Sequence, residues 1–291
     1  MSTIVLTLIT GVGLGALYFL VASGLSLIYG LMHVLNFAHG AFLTLSAFMG
    51  WMVAQAVGTD SWGSFLLSIL VGAGVGAVFA TLTELVLIRP LYERHIEQVL
   101  VTVGLSFAAV ALFEGIWGTD PIHISGPPWL RQTTDVLGAR IPNTYWVLMI
   151  AAILVLAALV LFLQKTRYGM IIRAGVENRS MVTALGIDVR RSFTLVFAIG
   201  GAAAGIGGVL AMHYSTFVSA HLGQTLLIFA FIVTVVGGLG SLTGAAIASV
   251  LVAVLQQFAN FYLGGTGDFI VVILLALVLL VRPAGLLGRK A

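Results

Sequence analysis

The chain has 291 residues, 60% of them hydrophobic and only 8% charged, with a formal net charge of +3 and a mean hydropathy of +1.14. A soluble domain carries about 25% charged residues, so an ordinary soluble enzyme and a disordered scaffold are excluded, and the scattered positive charges make no basic patch for nucleic acid. With zero cysteines there are no disulfides, thiolate metal sites or cysteine nucleophiles, and the class is an all-α polytopic membrane protein.

A membrane-spanning helix needs about 20 mostly apolar residues. Nine segments are candidates in chain order: 4–30, 37–57, 63–88, 98–117, 144–163, 192–212, 225–239, 243–263 and 268–281. The seventh and ninth are short, so eight to nine spans are expected, with a re-entrant or broken helix among them. The first run lacks a basic n-region and is about twice as long as a signal peptide's apolar core, so it reads as a retained helix. Residues 1–291 form a single transmembrane domain in this reading, with a cytoplasmic loop at 164–191.

Between the first two spans stands His33-Val34-Leu35-Asn36-Phe37-Ala38-His39-Gly40. Unwound backbone at membrane depth is tolerated where protein or a water-filled cavity satisfies it. Asn36, His39 and Gly40 therefore either line part of a translocation path or cap a short cytoplasmic turn. Six residues separate His33 from His39, which does not put both rings on one helical face, so no metal site is expected.

Further along, Glu84 and Glu114 are the clear charges inside apolar segments, each near a helix end. Ion-coupled transporters carry intramembrane ionisable groups along their pathway, and the scarcity of such groups argues against a self-powered transporter. Nor is there a phosphate-binding loop: Lys165-Thr166 follows Gln164 where that motif has glycine. The chain shows no energy source of its own, which points to a passive pore or to a transporter energised by another subunit. No cluster of His, Asp and Glu converges on the apolar segments, so no catalytic residue is expected.

Lysine and arginine accumulate in short cytoplasmic loops. Arg89 and Arg94 occupy one connection. Lys165, Arg167, Arg173, Arg179, Arg190 and Arg191 fill the 164–191 loop, and Arg282, Arg289 and Lys290 end the chain. Placing these regions inside puts the N-terminus outside and the C-terminus in the cytoplasm, with only Arg131 and Arg140 exterior. His213 and His221 then fall in an outer connection and are expected to be solvated. Within 164–191, residues Ser180 to Leu185 make a candidate short helix between Asn178 as cap and Gly186 as stop. Its apolar face suits either a partner's groove or an anionic lipid surface.

Glycine accounts for 35 of the 291 residues, above the usual roughly 7%. Gly11/Gly15, Gly72/Gly76, Gly201/Gly205 and Gly240/Gly244 are spaced four apart, as in close-packed membrane helices. Residues 30–40 and 237–244 look alike. Each is followed by two apolar segments ending in Arg-Pro, which reads as a parallel repeat or as chance similarity between glycine-rich stretches.

Asn36-Phe37-Ala38-His39-Gly40 resembles the N-F-A-H-G element of ABC importer permeases for branched-chain amino acids. In order after it, Val101 to Ser106 resembles that family's fourth-helix motif, and Arg173 to Asp188 its cytoplasmic coupling loop. Gly237 to Ser241 and Arg282 to Gly288 resemble its two C-terminal elements. The length is similar to the shorter of the two permeases in such systems. The resemblance implies a pathway that includes Asn36, His39, Gly40, Thr102, Gly104, Ser106, Gly238 and Ser241. It implies a coupling surface of Glu177, Asn178, Met181, Ala184, Leu185, Gly186 and Ile187 for an ATPase. The implied partners are a second permease subunit, two cytoplasmic ATPase subunits that use the ATP, and a periplasmic or surface substrate-binding protein. The implied setting is a bacterial inner membrane and its lipid, with no cofactor on this chain. Permeases for urea, short amides and aromatic or organic acids share the pattern, and a passive channel is the alternative from another class.

Overall fold

The computed structural model describes residues 2–177 and 189–288. In chain order its helices are α1 (Ser2–Met32), α2 (His39–Val57), α3 (Trp62–Thr83), α4 (His95–Trp117), α5 (Asn143–Lys165), α6 (Arg167–Glu177), α7 (Val189–Ser215), α8 (Leu222–Gly237), α9 (Leu242–Tyr262) and α10 (Gly267–Val281). After α3 the chain continues through a π turn (Glu84–Ile88) and a 3-10 turn (Arg89–Leu91). Among the described residues, seven helices are long and apolar enough to cross a membrane, and α8 and α10 are shorter apolar helices. Those two are the seventh and ninth segments of the sequence. At 1.5 Å per residue they reach only about 22–24 Å, short of a hydrocarbon core of about 30 Å.

Small antiparallel strands close one end of the bundle. β1 (Ile122–His123) pairs with β4 (Phe217–Val218), and β2 (Thr133–Val136) forms a hairpin with β3 (Ala139–Pro142). The hairpin turns on Leu137 (φ 51) and Gly138 (φ 81), the paired left-handed geometry that matches strand twist. The start of α1 lies at this end, with Ser2 beside Gly138. At the opposite end Gly30 packs on Gly240 and Gly238 on Gly288, and Tyr92 meets Phe193 edge-on. The bundle therefore gathers the helix ends bearing Arg89, Arg94, Lys165, Arg167, Arg190, Arg191 and Arg282 at one end. Arg131 and Arg140 sit at the other.

Glycines set the helix spacing. Gly72 and Gly76 of α3 face Gly205 and Gly201 of α7, so closely that a Cβ on any of the four would overlap the opposing helix. On the other side of the bundle, Cβ atoms at Gly11 and Gly15 of α1 would stand 2.9 and 2.8 Å from the Cα atoms of Val254 and Val250 in α9. Lipid gives no hydrophobic drive for helix association, so close backbone approach supplies the contact instead.

These two crossings are counterparts. α1 packs on α9 as α7 packs on α3, and each pair runs antiparallel. Directly after α1 stands His33 with φ 56, and directly after α7 stands Thr216 with φ 61. Gly40 and Gly223 follow seven residues later in each case, in the first turns of α2 and α8. Gly58 and Gly238, both with left-handed φ, then close α2 and α8. Ser61 and Ser241 cap α3 and α9, accepting N–H bonds from Ser64 and Gly244. Helices α1–α4 and α7–α10 thus form an inverted repeat, because α1 runs towards the end from which α7 departs. This corrects the parallel correspondence of 30–40 with 237–244. The break at 33–38 has its counterpart at 216–221, and 237–241 is the counterpart of the turn at 58–61.

Candidate functional site

The first break does not stay at the bundle end. From His33 the chain turns back into the bundle, and α2 begins with His39, whose Nε2 donates to the Val21 carbonyl at 3.0 Å. Val21 lies eleven residues before the end of α1, about 16 Å along its axis. Asn36 holds the bend: its side-chain Oδ1 accepts from the Ala38 N–H at 3.1 Å and its carbonyl from the His39 N–H at 3.3 Å. Both side chains are buried, and Asn36 Nδ2 and His39 Nδ1 have no hydrogen-bond partner among the described residues.

α8 also begins inside the bundle. Gly223 lies against Gly40, and Thr44 ties the two together by donating to the Gly40 carbonyl (3.1 Å) and accepting from the Gly223 N–H (2.9 Å). A Cβ at Gly40 would stand 2.7 Å from the Gly223 carbonyl oxygen. One residue on, Gln224 Nε2 approaches Ser106 Oγ at 3.5 Å, and Ser106 is the midpoint of α4. Two helix N-termini, each the positive end of its backbone dipole, therefore meet near mid-depth. Broken helices at the repeat interface are the arrangement that transporters use around a central site.

A polar chain leads from this junction towards the strand-covered end. Ser106 meets Gln224, Gln224 Oε1 lies 3.3 Å from His221 Nδ1, and His221 Nε2 lies 2.9 Å from Glu114 Oε1. Nothing in the sequence marks Thr44 or Gln224. Thr44 reads as an ordinary polar residue in a helix, and the start of α8 lies hidden in what looks like an outer loop.

Of the sequence-predicted pathway residues, Asn36, His39, Gly40 and Ser106 come together around this junction. Thr102 is buried one turn from Ser106 on the same face, its hydroxyl bonded to the Val99 carbonyl at 3.0 Å. Gly104 lies on the opposite face of α4 with open space beside it. Gly238 and Ser241 stand apart, in the turn that packs against Gly30 and Gly288. Of the coupling residues, Glu177 ends α6, while Asn178, Met181, Ala184, Leu185, Gly186 and Ile187 lie outside the described residues.

His221 is exposed, as the sequence suggests, but His213 is not a solvated loop residue. α7 runs past it to Ser215, and its ring packs edge-on against Phe65 at 4.9 Å, with Nε2 buried and without a hydrogen-bond partner among the described residues. It borders a cavity of about 520 Å³ under the 124–144 segment, together with Arg131, Thr144, Tyr145 and Tyr214. A larger groove of about 670 Å³, walled by apolar side chains of α3, α5 and α7, faces the side of the bundle. Among the described residues no group of three or more His, Asp or Glu is placed to hold a metal ion.

Comparison with known proteins places this geometry. The profile of the family described as "Branched-chain amino acid transport system / permease component" matches residues 7–282. The high-affinity branched-chain amino acid transport system permease protein LivH of Salmonella typhimurium is 31% identical over 96% of this chain and 94% of its own. LivH of Escherichia coli K12 is 30% identical over 96% and 94%. BraD of Pseudomonas aeruginosa, described in the same terms, is 30% identical over 97% and 95%. No solved structure matches.

Proposed function

The chain belongs to the family of branched-chain amino acid transport permeases, and on that premise we propose that it moves branched-chain amino acids into the cytoplasm by alternating access. As a member it is a multi-pass membrane subunit of an ABC-type importer and not an enzyme. The observation that carries the substrate reading is the breadth of the match, since the three relatives above, alike over nearly their full length, are each described as a permease for these amino acids.

The working assembly contains a second permease subunit, two cytoplasmic ATPases and a substrate-binding protein on the outer side. Orientation follows the charge asymmetry: the arginine-rich end is cytoplasmic and the strand-covered end faces out. The junction of α2 and α8, with Asn36, His39, Gly40, Thr102 and Ser106 around it, borders the path, Gly238 and Ser241 contribute where the inner end opens, and Gly104 contributes from the open face of α4 near mid-depth. Residues Glu177 to Ile187 seat in an ATPase groove and receive the work of ATP hydrolysis, which this chain has no phosphate-binding loop to perform.

The test is uptake by the reconstituted five-subunit system in liposomes. Labelled leucine, isoleucine and valine enter only with ATP and the binding protein. ATP-driven entry of urea, amides or aromatic acids in their place would overturn the substrate reading, and entry without ATP would make the chain a passive channel. Because the sequence has no cysteine, single cysteines report orientation cleanly. One at Gln132 reacts with an impermeant thiol reagent in intact cells, while one at Ser180 stays protected.

A further inference from the structure

Among the described residues, Glu84 is the fully buried carboxylate, and the pathway does not use it. It opens the π turn after α3, a distortion that recurs at functional positions in helices, and it lies at the arginine-rich end. A buried carboxylate is tolerated only when paired and hydrogen-bonded, and Glu84 is both. Arg89 Nε donates to its Oε1 at 3.2 Å, the Tyr92 hydroxyl donates to the same oxygen, and the Thr194 hydroxyl donates to Oε2 at 2.9 Å. Arg89 Nη2 in turn donates to Thr194 Oγ1 at 2.7 Å. Burial and then the bond to Glu84 push the Tyr92 pKa up, so that hydroxyl remains a donor.

The partners are unequal in what they join. Arg89 and Tyr92 belong to the same stretch of chain as Glu84, whereas Thr194 comes from the second turn of α7. That turn lies directly beyond the 164–191 segment. The Thr194 hydroxyl carries one proton and has two acceptors in reach, Glu84 Oε2 and the Arg190 carbonyl at 3.1 Å. One choice ties α7 to α3, and the other returns the bond to α7 alone. Phe193 reinforces the same contact, edge-on to Tyr92 at 5.6 Å and packed on Met32 at the end of α1. The exit of the coupling segment is thereby fastened to α1 and α3 at one compact joint, and the Leu91 carbonyl just before Tyr92 accepts from Gln98 of α4 at 2.6 Å.

We infer that Glu84 and Thr194 are positioning residues that transmit movement of the coupling segment to the helices of the first repeat. This rests on the reading of 164–191 as the ATPase contact. Removing the Thr194 hydroxyl cuts the link between helices and leaves the Arg89–Glu84 pair intact, so Thr194→Val is the sharpest probe and Thr194→Ser its rescue.

The experiment uses the full complex in liposomes and reads substrate transported per ATP hydrolysed, with ATPase retention measured on the same preparation. Thr194→Val keeps its ATPases and a basal hydrolysis rate within about twofold, but transports at least about fivefold less per ATP, and Thr194→Ser restores the ratio. A purely structural contact would lower the yield of complex and leave that ratio unchanged, and a Thr194→Val ratio within about twofold of wild type overturns the inference. If Thr194→Val does not assemble, Thr194→Ala, which removes the same hydroxyl without the second methyl, takes its place, and an unchanged ratio there is equally fatal. The two readings fail separately. ATPases retained on a Leu185→Asp chain would refute the coupling segment, whereas loss there with normal coupling in Thr194→Val would refute only the joint.

Discussion

The two breaks of the inverted repeat share a backbone and differ in nearly everything attached to it. Both leave a helix through a left-handed residue that is not glycine, His33 in one and Thr216 in the other, and both start a new helix inside the bundle with a glycine in its first turn. At the first break the histidine is sealed in: His39 has 0% exposure and is bonded to a backbone carbonyl. At the second, the His221 side chain is 59% exposed and meets a carboxylate. The inner break is held by buried hydrogen bonds from Asn36 and His39. The outer one is held by strand pairing, with the Thr216 carbonyl accepting from the Ile124 N–H at 3.1 Å. Repeated geometry therefore needs repeated φ angles and close glycines, while the side chains follow access to water.

The most direct way to break this comparison is at the contact the halves share. A valine at Gly223 drives its Cβ into the Gly40 backbone, and overpacking against main chain costs about 3 kcal/mol or more. Gly223→Val is expected to abolish accumulation of folded protein. Gly74→Ala, on a helical position with open space, leaves the yield unchanged or raises it. Equal yields for the two variants, read by detergent extraction and size-exclusion profile, would show that the helices do not meet as described.

The histidines sharpen the contrast. His39→Ala removes a buried ring and its bond to the Val21 carbonyl, a loss of about 2–4 kcal/mol from cavity and unmade bond together. His221→Ala removes an exposed pair worth about 0.5 kcal/mol. Thermal unfolding of the purified chain should separate them by several degrees. Identical midpoints would mean that the first break is as loosely held as the second.

The halves also differ in their link to the 164–191 segment, which leads directly into the second. An aspartate at Leu185 would place an unpaired carboxylate in the proposed ATPase groove, costing about 1–3 kcal/mol, or roughly ten- to a hundredfold in affinity. ATPase subunits are expected to wash off the purified Leu185→Asp permease while its own fold survives. Full retention with normal substrate-stimulated hydrolysis would remove this functional distinction between the halves.

Much of this fold is legible in the sequence because lipid imposes a coarse code. Nine apolar runs correspond to nine apolar helices among the described residues, and the glycine pairs at 72/76 and 201/205 form one crossing. Asn36 and His39 stand out because polar groups inside an apolar run need partners. The second break carries no such warning. Thr216 is β-branched, a poor sequence marker for left-handed backbone, and His221 reads as one more polar residue in an outer loop. The expectation of a solvated His213 fails because α7 continues beyond its apolar run under the cover of strands and loop. The inverted repeat escapes a sequence reading because what its halves share, a sign of φ, a cap and a close approach, is spread over single residues. The likeness of 30–40 to 237–244 is local composition.

The finest test asks whether the halves are equal where they look most alike. Ser61 and Ser241 both sit in extended backbone before a helix, and each side-chain oxygen accepts from the N–H three residues on, at 3.1 and 3.0 Å. Replacing such a cap by alanine costs about 1 kcal/mol, and by glycine only a few tenths. Ser61→Ala and Ser241→Ala should therefore lower the unfolding midpoint by similar small amounts, with glycine recovering most of each loss. The sites are at opposite ends of the bundle, so the double variant should be additive within about 0.5 kcal/mol. Their surroundings nevertheless differ: Ser61 opens an exposed turn, whereas Ser241 belongs to the glycine turn packed on Gly30 and Gly288. If Ser241→Ala alone is costly and Ser61→Ala costs nothing, the turn between α2 and α3 frays without affecting global unfolding. The equivalence would then hold for backbone geometry and not for cooperative stability.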